Sequence, residues 1–195
     1  MSLVELIAQA DERGLAASGL ACLDRCLPLL GGDDELLRPL WASLADGSDW
    51  AGSLARARDT LDVAGRADDE AARLALRMLE AAPAERTADA VRPWADACSV
   101  ASLRVHRLLD PAADGTPVAD GTPAAAGIDA GRAGDAAELP PLVAAELRRQ
   151  AAVLELLADY GAQGLRRALE VSVEGRRVLR AVVSRRARSA AEAGA

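Results

Sequence analysis

The sequence predicts an all-α protein in three parts: a helical bundle over residues 1–109, a flexible linker over 110–139 and a two-helix hairpin over 140–195. Three observations carry this prediction. The strong helix formers Ala, Leu, Arg and Glu dominate the 195 residues, whereas aromatic residues make up 2%. Apolar residues recur at three- and four-residue spacing along most of the chain. From Asp110 to about Leu139 that spacing gives way to Ala, Gly, Asp and Pro. Apart from a few residues near Val171–Glu174, nothing alternates polar with apolar, so no sheet is expected.

The elements follow in order. Ser2 and Glu5 form a capping box ahead of the stripe Leu3, Leu6, Ile7 and Ala10, and Gly14 is expected to end that helix. A second helix runs from about Leu15 to Leu30, with Leu20, Leu23, Leu27 and Leu30 on one side and Gly31-Gly32 as its stop. Asp33-Asp34-Glu35 then place acid at a helix N-terminus, where the dipole favours it, and Pro39 kinks or restarts that helix. Ser48 is expected to cap a helix carrying Trp50, Leu54, Ala57 and Leu61. Asp68-Asp69-Glu70 open another, with Leu76 and Leu79 inward, which ends at Pro83. Ala84–Leu109 reads as helix interrupted by Pro93, with Trp94, Ala101, Val105 and Leu108 in its second half.

Residues 110–139 contain almost no large apolar side chain and cannot bury enough surface to offset ordering, so they read as a tether. They include a tandem repeat, ADGTP at Ala113–Pro117 and at Ala119–Pro123. Pro140-Pro141 start a helix to about Tyr160 with the stripe Leu147, Leu154 and Leu157. Gly161 and Gly164 allow a turn, and a final helix runs to about Ala190 with Leu165, Leu169, Leu179 and Val183 along one face. Two helices cannot close a core alone. The hairpin must pack on the N-terminal bundle, on a second copy, or on a partner.

Charge divides along the same line. Residues 1–139 hold 13 Arg against 24 acids, a net of −11, and residues 140–195 hold 10 Arg against 6 acids, a net of +4. The basic charge concentrates on the last helix, from Arg166 to Arg188. Three readings compete: a solvated face with cations suiting a helix C-terminus, a basic helix laid on the acidic bundle, and an arginine helix for nucleic acid or an anionic membrane. Overall acidity, with a pI near 4.8, and the lack of interleaved aromatics argue against nucleic acid.

Composition also limits the chemistry. The chain has one histidine (His106), one tyrosine (Tyr160), no phenylalanine, and neither lysine nor asparagine. Ser102, His106 and Asp110 lie at i, i+4 and i+8, a spacing that superficially suggests nucleophile, base and orienting acid. A mid-helix serine lacks free backbone N–H groups for an oxyanion hole, so a structural role for His106, paired with Asp110 or Ser102, is the simpler reading. Cys22 and Cys26 share one helical face and, with Cys98 or His106, raise the question of zinc. The paired C-x2-C spacing is absent and the surrounding leucines say core. The acidic triplets at 33–35 and 68–70 resemble the aspartate-rich magnesium motif of terpene synthases over three residues. Without a second metal motif or aromatic cavity lining they read as helix caps.

No cofactor is implied. Nothing at the N-terminus resembles a signal core, and no uncharged apolar stretch reaches the ~18 residues of a membrane span, so a cytoplasmic protein is expected. The reading that follows is a non-enzymatic interaction, adaptor or assembly protein that engages a protein partner or forms a homodimer. Contacts fall on Leu154, Leu157, Leu165, Leu169, Leu179 and Val183, with Arg176, Arg180 and Arg185 setting orientation. The alternatives are a small-molecule binder or enzyme with a cavity lined by leucines and by Trp41, Trp50 and Trp94, and a DNA-binding regulator using the last helix.

Overall fold

The computed structural model describes residues 1–61, 69–110, 123–135 and 139–193. Among them the chain forms nine α-helices and a 3-10 turn, with no strand. The helices are α1 (Leu3–Gln9), α2 (Glu12–Leu30), α3 (Arg38–Asp46), α4 (Trp50–Thr60), α5 (Glu70–Glu80), α6 (Ala88–Leu109), α7 (Pro123–Ala133), α8 (Pro141–Tyr160) and α9 (Leu165–Ala193), with the 3-10 turn at Gly161–Gly164 between the last two.

Local chemistry sets most of the boundaries. The Ser2–Glu5 capping box is present. The break after α1 falls at Ala10, not at Gly14, because the Asp11 carboxylate accepts the Gly14 N–H at 2.7 Å and starts α2 there. Gly31, at φ 60°, ends α2 in the left-handed region that a side chain would resist. Pro39 sits in the first turn of α3 and restarts the chain rather than kinking it. Asp49 caps α4 in place of the expected Ser48, and Asp69 caps α5. Pro93 falls inside α6, which continues through it.

Helix α2 is the axis of the molecule. An apolar stripe on one side was expected of it, but residues on all its faces are buried, from Gly14 to Leu30. The reason is the hairpin: α5 and α6 cover one part of α2, and α8 and α9 cover another. Of the three packing options open to the hairpin, the structure contains the first, docking in cis on the N-terminal bundle. One apolar core runs from Leu3 and Ile7 through α2, α5 and α6 to Leu154, Leu157, Leu165 and Leu179.

The tryptophans belong to this core. Trp50 and Trp94 meet edge to face, with ring centres 6.1 Å apart, and donate their indole N–H groups to Pro83 O and Met78 O, each at 2.8 Å. A Cβ on Gly19 of α2 would stand 2.6 Å from the Trp94 ring, so the bare backbone lets α6 approach. Trp41 is likewise buried.

The expected linker at 110–139 is in part helical. Residues 123–133 form α7, because Ile128 and Arg132, one turn apart, both find buried positions. Residues 111–122 and 136–138, which hold most of the ADGTP repeat, lie outside the described residues. Val171–Glu174, the one stretch with strand-like alternation, is helical within α9. Among the described residues no helix is long and apolar enough to cross a membrane.

Candidate functional site

The chemistry-bearing side chains converge where α2, α6, α8 and α9 meet. Arg25 of α2 and Glu146 of α8 are both fully buried and pair two-pronged: Nε lies 2.8 Å from Oε2, and Nη2 lies 2.6 Å from Oε1. Two charges this deep are tolerated only when their other hydrogen-bonding capacity is met. Here Arg25 also donates to Ser172 Oγ at 3.3 Å, and Glu146 Oε1 accepts from Ser102 Oγ at 2.8 Å and Gln150 Nε2 at 2.9 Å. The chain of bonds continues outward. Ser99 Oγ donates to Gln150 Oε1 at 2.6 Å and accepts from Arg132 Nε of α7 at 3.1 Å, while Arg132 pairs with Asp96. Burial alone would push the Glu146 carboxyl up. The Arg25 guanidinium, then His106, outweigh burial and hold it at about 2.

His106 lies beside this network. Its Nδ1 is 2.8 Å from the Ser102 carbonyl and therefore carries the hydrogen, and its Nε2 is 3.6 Å from Glu146 Oε2. Burial pushes the imidazole below its ordinary range, against the pull of Glu146. The Ser102–His106–Asp110 spacing does not assemble a nucleophile and base. The Ser102 hydroxyl is committed to Glu146, and Asp110 accepts the Leu142 N–H at 2.7 Å at the start of α8. Of the two structural partners expected for His106, the structure provides Ser102, through its backbone.

The three cysteines are buried free thiols. Arg25 Nη2 lies 3.5 Å from Cys22 Sγ, and Cys26 Sγ lies 3.8 Å from Ser102 Oγ. Burial pushes Cys22 up to about 12 and raises Cys26 and Cys98 as well, so all three stay protonated at neutral pH. Among the described residues no group of three or more His, Cys, Asp or Glu is placed to hold a metal ion.

The residues expected at an interface divide between inside and outside. Leu154, Leu157, Leu165 and Leu179 are buried in the core, and Leu169 and Val183 pack partly buried against it. Their apolar face is therefore covered within one molecule. Arg176 is also buried, 2.6 Å from Asp24 of α2, and donates to the Asp34 carbonyl at 3.1 Å. Arg180 grips the Asp34 carboxylate, its Nη1 3.1 Å from Oδ2. For these two arginines the basic helix does lie on the acidic bundle through Asp34, while Asp33 accepts the Glu35 N–H and Glu35 pairs with Arg38; none of the three caps α3, whose N-cap is Leu37. Burial raises the Asp24 carboxyl, opposed by Arg176 and Arg25. The hydrogen bond from Arg180 lowers that of Asp34.

Arg185 stands exposed, as do Arg177 and Arg188, and among the described residues none of the three meets an acid at ion-pair distance. Arg186 reaches back to the Leu108 carbonyl at the end of α6. From Ser184 to Glu192 every residue whose side chain is described is exposed, so this end of α9 has no packed face.

Sequence reasoning missed Arg25, Glu146, Gln150 and Arg132. Glu146 and Gln150 stand one turn apart on the inward face of α8, in line with Val143, Val153 and Leu157. A carboxylate in an apolar stripe was a signal that a buried cation waits elsewhere, and Arg25, inside the leucine-rich α2, was the only charge of that sign in that helix's inward run.

In comparisons with known proteins, no family model, no curated protein and no solved structure matches this chain.

Proposed function

We propose that this chain is a non-enzymatic α-helical interaction protein, an adaptor or an assembly and regulatory factor of the cytoplasm, that docks an acidic protein partner through the outer face and free end of α9. The observation that carries this reading is the outrun of α9 past the core. Its last turns bury nothing, and Arg185 and Arg188 there are exposed, as is Arg177 two turns earlier. A helix that is polar all round gains little stability by itself and suits a role between surfaces. Guanidinium groups pair two-pronged with carboxylates, so an acidic protein surface suits these arginines. The interior adds support of another kind. Glu146, Ser102 and His106 are committed to one another out of reach of solvent, as a structural network would be.

The leucines expected to make the interface are core, so docking belongs to the opposite, charged side of the same hairpin. The full chain and an Arg185→Glu/Arg188→Glu double variant provide the test. The wild-type chain retains a protein partner, or a second copy, at low salt. It releases it by about 0.5 M salt, where the screening length falls to roughly 4 Å. The double variant fails to bind while keeping the same melting temperature. Binding that survives charge reversal, or salt-steep retention of DNA in place of protein, contradicts the proposal.

A further inference from the structure

Helix α7 is fastened by two side chains. In its sequence, PAAAGIDAGRA, Ile128 and Arg132 are the large residues, and both are buried, at 3% and 6% exposure. Ile128 does not join the main core. It packs with Leu103 and Val143, flanked by Leu139 and Leu147, in a small apolar cluster of its own. Arg132 reaches across α6 to donate from Nε to Ser99 Oγ at 3.1 Å and to pair with Asp96. The surface that receives them is contributed by α1, α6 and α8, which also pack on one another. Ser99 is fixed by Gln150, Gln150 by Glu146, and Glu146 by Arg25 and Ser102. The Ser99 hydroxyl and the Asp96 carboxylate thus stand ready as a pair of acceptors. Asp96 is 51% exposed, which opens one side of that pair to solvent.

We propose that this cleft is an arginine-accepting docking groove, that α7 is its resident occupant, and that a partner protein helix presenting an apolar side chain one turn ahead of an arginine displaces α7 and takes its place. The occupant follows from the template now seated there: an aliphatic side chain for the Leu103–Val143 cluster and, four residues on, a guanidinium for Ser99 and Asp96. Preorganised acceptors supported by a buried network are what make such a groove selective for a planar cation over an ammonium. This second surface is separate from the α9 arginines. Its test reads Arg132 and Asp96 alone, so its failure leaves the α9 reading standing.

The test uses the full chain and methylguanidinium as the probe. In Arg132→Ala, the probe at tens of millimolar fills the vacated position and raises the melting temperature by about 2 °C, by mass action at a weak site. It gives no rise in the wild-type chain or in Arg132→Ala/Asp96→Asn. Methylammonium gives none in any of them. Hydrogen exchange on the wild-type chain supplies the second readout. The α7 amides exchange at least tenfold faster than those of α6 around Ser99, because α7 lifts off while its groove stays formed. No selective rise in Arg132→Ala overturns the proposal, and so does α7 exchanging no faster than α6. An Arg132→Ala chain that fails to fold overturns it as well, since Arg132 would then be part of the core rather than a docked ligand.

Discussion

Glu146 is a fully buried carboxylate at the centre of the interior polar network. Its carboxylate serves Arg25, Ser102 and Gln150 at once, in an interior that solvent does not reach. Glu146→Gln leaves the Arg25 charge buried without its counter-ion and costs about 3–5 kcal/mol in urea unfolding. The same variant changes the acid response. In the folded chain Glu146 is held at about 2, while in the unfolded chain it titrates near its ordinary 4.5. Its stabilisation is therefore complete above pH 4.5 and is lost as pH falls from there toward 2. His106 works in the same direction at higher pH. Burial lowers it from 6.5 in the folded state, so the unfolded chain takes up the proton first and stability falls on acidification through 6.5. Glu146→Gln abolishes the lower limb of this profile, measured as urea midpoint against pH. The network was not read from the sequence. Arg25 and Glu146 stand 121 residues apart, and no local rule joins them. The i, i+4 placement of Glu146 and Gln150 on an apolar face was the one visible sign.

At the scale of elements, local chemistry predicted best where it acts alone. The Ser2–Glu5 box, the Gly31 stop, the proline start of α8 and the glycine turn before α9 are set by a few neighbouring residues, and all four stand where the sequence places them. Faces were predicted less well, because burial depends on what arrives from elsewhere in the chain. The apolar side assigned to α2 was too narrow, since the covering helices α8 and α9 come from more than 100 residues away. Helix α7 escaped notice because two well-placed side chains fix it in otherwise featureless sequence. Close helix contact depends on position in the same way. A glycine-to-alanine change in a helix normally gains up to about 1 kcal/mol. At Gly19 the added Cβ meets the Trp94 ring at 2.6 Å, so Gly19→Ala forces α2 and α6 apart and costs about 1–3 kcal/mol, read from thermal or urea unfolding.

At the scale of the whole molecule, the division into bundle and hairpin that charge and composition suggest is not a division of the core. The hairpin's leucines complete the burial of α2, Arg176 and Arg180 tie α9 to Asp24 and Asp34, and Arg25 ties α2 to α8. The greasy face that demanded a partner has found one in the same chain. The charged side and the end of α9 from Ser184 to Glu192 are left exposed. The distribution of chromophores allows this to be tested directly. Trp41, Trp50 and Trp94 all lie in the first 110 residues, whereas α8 and α9 supply a large share of the helix and contain no tryptophan. Tryptophan fluorescence therefore follows the bundle, and far-ultraviolet circular dichroism follows the bundle and hairpin together. With one shared core, the two signals change together through a urea titration, with one midpoint and one slope. Loss of helix at lower urea than the change in fluorescence, with the tryptophans still buried, would mean that the hairpin is a separate unit and would contradict the account.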